Sequence, residues 1–463
     1  MKTDIFNTMI VDFYLPSTVK AIEKLDSDGI IKIKYWLTAK GYTGGVKKYP
    51  SLEDMQAELL QHEAYMDKAV QTKLREKYLY KFINIENRWV RSIEVNTYVN
   101  RFFLYARYFY TVIKNNDIKL FIMGNAPHAG YQLAAYAVAK SMEIKVLLTE
   151  QMHFGENRFM CVSDIENFGL DELKHEEKDT PYQKLDFKFE KDLYYMKDLE
   201  PICLSGDSKV YEILKNVKKK GFKFSKENIA KGLNSIGLLL IRKSLQTVYE
   251  LNSCSYVKSV DLTRKYVYFP LHLQPEMTTD TMGGIYEDQL LAIEKLAAFI
   301  PDDWKIYIKE NPKQTFYKRN KDFYRRLNSI SKAVFVNPAT STYELNKHSQ
   351  FVATITGTVG FEAITGGKNV LVFGYAWYRQ FPRAFEYDSG VTCDEIMNFK
   401  CSNEVVEEAY NKFYRSLFKG YVIPESDARQ ECPEYEGDER NNEYLYNSFC
   451  QAIKLVCAKN INK

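Results

Sequence analysis

From about residue 266 to 373 the chain alternates short apolar runs with amphipathic stretches, and few folds accommodate that pattern. The runs at 266–270, 304–309, 333–336, 351–355 and 370–373 have strand length and buried-strand composition. Helical spacing fills 286–299, 321–330, 343–348 and 361–365. Strand and helix in strict alternation predict a parallel, doubly wound sheet. The same logic appears earlier on a smaller scale. An apolar run at 118–123 is followed by the loop Gly124-Asn-Ala-Pro-His128-Ala-Gly130, a helical stretch at 131–142 and a second run at 145–149. That is a βαβ unit with parallel strands.

The rest of the first third mixes one strand, 30–37, with helix that runs in pieces to about residue 114. Ser51 with Asp54 three residues on reads as a helix N-terminus. Residues 165–262 are charged and largely helical in pattern, as is the stretch from about 404 to 457. The fold class is therefore α/β with two Rossmann-like halves facing a central cleft, plus helical additions. The expected division is 1–262 for the first half, 263–402 for the second and 403–463 for a helical tail.

A chain of 463 residues, 45% hydrophobic and 27% charged, is ordinary for two or three globular domains. A net charge of +4 gives no field that points to nucleic acid, so no nucleic-acid partner is expected. No apolar run approaches the roughly 20 residues that span a bilayer. The N-terminal stretch carries Asp4 and Asp12 and lacks the build of a signal peptide. The eight cysteines are scattered, with no C-x-x-C and no histidine at ligand spacing, so neither a disulfide framework nor a metal site is expected. These features predict a reduced, cytoplasmic protein. The lysine-rich stretch 215–226 with the apolar patch 236–241 reads either as a solvated helix face or as peripheral contact with the anionic inner membrane.

In open parallel sheets, ligands sit beyond the carboxyl ends of the strands. In the second half this selects three loops. His272 opens a polar loop and could contact a phosphate or act as an acid. Lys309 closes a strand at the mouth of the cleft, a natural point charge for phosphate or else a partner of Glu310. The third is Thr356-Gly357-Thr358-Val359-Gly360, with Glu362 soon after. Glycines admit a close ligand backbone contact, a helix N-terminus suits an anion, and a carboxylate suits a ribose diol. Thr356 or Thr358 could equally be a plain N-cap. The loop is neither a Walker A motif nor G-x-G-x-x-G, because Glu362 and Val359 stand where glycines would be required. Aromatics at 373–378 could stack on a base or sugar, or pack.

The segments YFPLHLQPE, DQLLAIEKLAAFIPDDWKIYIKENPKQ and ATITGTVGFEAITGGKNVLVFGYAWY resemble bacterial capsule and surface polysaccharide biosynthesis proteins, relatives of Kdo transferases, over roughly 265–385. The resemblance implies a GT-B glycosyltransferase with no bound metal and no cofactor beyond a nucleotide-sugar substrate. The donor would be a CMP-linked sugar such as Kdo, the acceptor a glycan or glycolipid. By position, Thr356, Gly357, Thr358, Gly360 and Glu362 would hold the donor. Lys309 and Asn311 occupy a K-x-H-P motif in which Asn311 replaces histidine, so any acid role there is lost or passes to His272. The base or nucleophile would come from the first half. Glu150 and His128 lead, ahead of His153, Asp164 and Glu166. Transfer of a phospho-polyol, nucleotide-sugar 2-epimerisation and non-catalytic binding are the alternatives.

Overall fold

The structure is a computed structural model. It describes residues 5–38, 47, 48, 50–87, 94–152, 157–177, 180–189, 260–314, 319, 321–337, 339–422 and 437–458. His153 and the stretches 215–226 and 236–241 lie outside the described residues.

Two sheets organise the chain. The first contains β1 (Phe6–Val11), β2 (Ile31–Thr38), β3 (Lys47–Lys48), β4 (Leu120–Met123), β5 (Lys145–Gln151) and β6 (Arg158–Val162). The second contains β7 (Tyr266–Pro270), β8 (Lys305–Lys309), β9 (Ala333–Phe335), β10 (Val352–Thr354), β11 (Val370–Val372) and β12 (Ala384–Glu386). A last strand, β13 (Phe418–Lys419), returns to the first sheet. The spatial orders are β13-β6-β5-β4-β1-β2-β3 and β12-β11-β10-β7-β8-β9. Every pairing in the second sheet is parallel. In the first, β1, β2, β3, β4 and β5 run parallel, while β6 is antiparallel to both of its neighbours, β5 and β13. These are two Rossmann-like halves, each built on a parallel-dominated sheet.

The central strands are buried throughout, as their apolar runs require. One sequence expectation needs extending. β1 escapes a pattern reading because Asn7 and Thr8 break its apolar run, yet it is an interior strand of the first sheet, between β4 and β2. The Thr8 hydroxyl donates to the Phe6 carbonyl at 2.8 Å, which satisfies the polar group inside the sheet. The Ser51 capping box forms as expected: the Asp54 amide donates to the Ser51 hydroxyl, and the Ser51 amide donates to the Asp54 carboxylate, both at 3.0 Å.

The C-terminal stretch is more than a helical appendage. The helix Asn403–Arg415 leads into β13, and the helix Asp438–Ala458 packs against the helix Pro16–Ser27. Asn441 donates to the Ser17 hydroxyl at 2.8 Å, and Phe449 meets Phe13 edge-on at 5.6 Å. The end of the chain thus covers one face of the first sheet.

Phe449 is fully buried between Phe13 and Phe159. Phe449→Ala is expected to cost about 3–5 kcal/mol, read as a lower midpoint in urea or thermal melts.

Candidate functional site

Each sheet has a point where strand order reverses, and a crevice opens there. In the first sheet β1 lies between β2 and β4; in the second, β7 lies between β8 and β10. The candidate residues collect at these two points.

In the second half the loop after β7 is braced before it reaches the cleft. His272 is only 7% exposed. Its Nε2 accepts from the Ile355 amide at 3.2 Å and lies 3.0 Å from the Thr354 hydroxyl, which itself accepts from the Gly357 amide at 3.2 Å. Burial, reinforced by the charge of Arg319, pushes its pKa down to about 3. A neutral imidazole accepting at Nε2 cannot serve as an acid near neutrality. The expected acid role of His272 gives way to a structural one, bolting β7 to the turn after β10.

The neighbouring polar groups continue this bracing. The Arg319 guanidinium grips Glu310 through two bonds, 2.7 and 2.8 Å, and donates to the His272 carbonyl at 2.8 Å. Glu310 is thus paired with Arg319, not with Lys309. Lys309 instead donates to the Thr340 carbonyl at 2.6 Å and the Thr342 hydroxyl at 2.9 Å. Burial lowers its pKa to about 8. The Asn311 side chain accepts from the Lys313 amide at 2.9 Å, a local turn. Neither side chain is aimed at the turn after β10, contrary to the expected phosphate contact.

The helix there runs Thr358–Thr365, three residues earlier than its apolar pattern indicated. Gly357 is the N-cap and no side chain caps the end. The Gly360 amide returns to the Gly357 carbonyl, so the Thr358 and Val359 amides are first-turn donors with no intrahelical partner. Thr358 itself is half-buried. The Thr356 hydroxyl donates to the Thr278 carbonyl at 2.7 Å, so it ties two loops together. The glycines serve packing rather than ligand approach. A Cβ at Gly357 would press on His272 at 3.0 Å, and one at Gly360 would collide with the Tyr378 phenol. Glu362 lies in the second turn and is 3% exposed. Its charge acts on the buried phenols of Tyr268 and Tyr378, so it faces the interior and not the helix mouth. Trp377 and Tyr378 pack on Phe361.

In the first half, Asp12 follows β1 with φ 59°, a strained conformation for a side-chain-bearing residue. Its carboxylate accepts from the Tyr131 hydroxyl at 2.6 Å and the Gln132 amide at 2.5 Å. The other end of Gln132 accepts from the amides of His128 and Ala129 at 2.6 and 2.8 Å. Glu150 accepts from the Ala126 amide at 3.2 Å. Asp12, His128 and Glu150 therefore share one carboxyl edge. Asp12 was not singled out in the sequence; an Asp immediately after the apolar run MIV is the signal that could have found it.

This edge meets the second half. Thr281 donates to the Pro127 carbonyl at 2.7 Å. His128 Nδ1 lies 3.8 Å from Glu276 Oε1, and Lys81 lies 3.5 Å from the Gly284 carbonyl. Nearby, Glu287 is 5% exposed, and burial raises its pKa to about 8, with Lys81 opposing and Asp280 and Asp288 adding. Among the described residues no group of three or more His, Cys, Asp or Glu is placed to hold a metal ion. No described helix is long and apolar enough to cross a membrane.

Residues 208–383 match the model of the family described as capsule polysaccharide biosynthesis protein. Over that stretch the chain is similar to that family. The matched stretch contains the loop after β7 and the whole Thr356–Glu362 turn. No curated protein matches the chain. Among solved structures it is similar to the Thermosulfurimonas dismutans KpsC beta Kdo 2,7 transferase, at 12% identity and TM-score 0.34 over 95% of this chain and 99% of that one. A UDP-GlcNAc 2-epimerase from Methanocaldococcus jannaschii gives 12%, 0.24, 88% and 98% in the same order. A glycosyltransferase from Rickettsia africae ESF-5 gives 10%, 0.22, 99% and 100%. Similarity this low carries no activity across.

Two pH effects are expected. The folded pKa of His272 is below its ordinary 6.5, so the folded chain binds fewer protons and stability falls as pH drops below 6.5. His272→Gln should remove part of that fall, up to about 1.4 kcal/mol per pH unit, in urea titrations between pH 6.5 and 4.5. Glu287 has the opposite sign: its folded pKa lies above the ordinary 4.5, so its contribution is lost as pH rises toward 8. Glu287→Gln should gain on the wild type between pH 5 and 7.5, by about 1.4 kcal/mol per unit at most.

Proposed function

We propose that the chain is a glycosyltransferase of capsule or other surface polysaccharide assembly, using a nucleotide-activated sugar. The observation that carries this reading is the uncapped first turn of Thr358–Thr365. It stands at the switch point of the second sheet, inside the stretch matched to the capsule family, and the edge bearing Asp12, His128 and Glu150 lies opposite. First-turn amides and the helix dipole suit a leaving phosphate, whose charge grows as the bond to the sugar breaks. His128 or Glu150 then accepts the proton of the attacking hydroxyl, with Asp12 holding the loop through Gln132.

The resemblance to Kdo-transferase relatives favours a CMP-linked, Kdo-like donor, with a glycan or glycolipid as acceptor. It also favours a metal-independent reaction in the cytoplasm, peripheral to the inner membrane. A second reading, a nucleotide- or glycan-binding subunit without turnover, draws support from the internal engagement of Lys309, His272 and Asn311.

Calorimetry with CMP, CDP, UDP and GDP tests the donor turn directly. One nucleotide is expected to bind, CMP first. Thr358→Pro removes one amide donor where a helix tolerates proline, and should weaken that binding at least about tenfold. UDP or CDP binding would keep the turn and change the donor class. No binding by any of the four would overturn the donor-turn assignment.

A further inference from the structure

Glu276 belongs to the second half, His128 to the first, and the gap between Glu276 Oε1 and His128 Nδ1 is 3.8 Å. Both are shielded, with side-chain exposures of 19% and 32%. The carboxylate does not arrive there by chance of a long flexible arm. The Glu276 amide donates to Asp280 Oδ2 at 2.8 Å, and two residues on the Thr278 carbonyl is held by the Thr356 hydroxyl. Asp280 is fixed in turn by Gln274, at 2.8 Å. On the other side, the loop carrying His128 is pinned at Pro127 by Thr281 and at the His128 amide by Gln132. Backbone anchors thus set both partners, and one of those anchors is the turn assigned to the donor phosphate.

We propose that Glu276 is the positioning residue for His128, forming across the cleft a carboxylate–imidazole pair that acts in proton removal from the acceptor. The proposal rests on the transferase reading given above for its chemistry, though not for its geometry. In the proposed pair Nδ1 is on the Glu276 side and Nε2 takes the proton of the acceptor hydroxyl. As the acceptor oxygen bonds to the anomeric carbon, its proton passes to Nε2. The bond from that carbon to the donor phosphate oxygen breaks, and its electron pair leaves with the phosphate. The imidazolium so formed is stabilised by the Glu276 carboxylate and later returns its proton to solvent. Because the carboxylate comes from the donor half, the base is complete only when the halves meet, and the Thr356–Thr278 bond ties that event to the donor turn.

The other ionisable groups on the elements around this loop include Asp12 after β1, Glu150 on β5, Tyr131 at the start of the helix Gly130–Ser141 and Glu86 against Gly130, with Lys81, Asp280 and Glu287 on the elements facing it. Asp12 is bound by Tyr131 and Gln132, and Glu150 by the Ala126 amide. Glu276→Gln keeps the backbone amide that binds Asp280, so the variant removes the charge of Glu276 and leaves the other carboxylates in the sequence.

The chain has six histidines, which suits NMR titration of the full-length protein labelled at histidine. His128→Gln identifies the His128 signal by its loss. In Glu276→Gln the His128 pKa is expected to fall by roughly half to one unit, the effect of removing a carboxylate at this distance in a partly solvated site. Glu276→Asp should retain most of the wild-type value. Should the Gln variant fail to fold, Glu276→Ala takes its place, with the same fall expected. An unshifted His128 in the folded charge-removing variant would overturn the pair. With any sugar nucleotide that turns over, Glu276→Gln should lower kcat, leave the donor KM within about twofold, and move the acid limb of kcat/KM to lower pH. The titration needs no substrate, so failure of nucleotide binding and failure of the pair are separate results.

Discussion

A parallel strand covered on both faces has room for polar chemistry only at its ends. The central strands of both sheets obey this constraint, and the rest of the molecule follows from it. Their side chains are apolar or, like Thr8, satisfied within the sheet. Strand-to-helix turns therefore gather the hydroxyls, amides and carboxylates at one edge of each sheet. Where strand order reverses, at β1 and β7, those turns diverge and leave a crevice. Two such edges opposite one another place a phosphate-compatible helix mouth across from a carboxylate and an imidazole, without any motif of fixed spacing.

Most of the polar residues at these edges hold one another. His272, Gln274, Gln289, Gln314, Arg319 and Glu310 form a continuous network beneath the cleft. A buried polar group without a partner costs about 1–3 kcal/mol, so this network must be complete to be tolerated. Completion has a functional consequence. It makes the turn after β10 and the loop after β7 a single rigid body, so first-turn amides need not reorganise when charge appears before them. The side chains that sequence spacing suggests as phosphate ligands are part of this frame, which leaves the backbone amides of the turn as the groups the proposed phosphate contact would use.

That division explains what the sequence made legible. Strands such as Tyr266–Pro270 and helices such as Gln289–Phe299 are visible because burial writes itself as apolar periodicity. β1 is not, since its two polar residues are satisfied by contacts that no pattern encodes. The return of β13 to β6 is equally hidden, because a two-residue strand has no period. At the site, the turn at 356–360 could be read from its glycines, although their reason is the proximity of His272 and Tyr378. The directions of Lys309 and Glu362 could not be read. Position along a strand or helix gives a residue's face, while its partner is chosen by elements far away in the chain, here Thr342 for the lysine and the Tyr268 and Tyr378 phenols for the carboxylate. Asp12 shows the converse: a strained residue whose importance appears only when Tyr131 and Gln132, more than a hundred residues on, converge on it.

The segment 276–284 deserves its place at the centre of the molecule on physical grounds. It touches the donor turn through Thr278, the first-half loop through Glu276 and Thr281, and the helix Leu79–Glu86 through Gly284. Each contact alone is modest, a single hydrogen bond or a partly solvated ion pair. Together they are short-range and cross the cleft, so a small separation of the halves loses them at once. Glu287, buried beside the same contacts with its carboxyl held protonated well above the usual range, adds an apolar-like wedge at neutral pH and a repelling charge beside Asp280 in alkali. The charge that Glu287 carries thus changes with pH beside the same contacts that join the two halves.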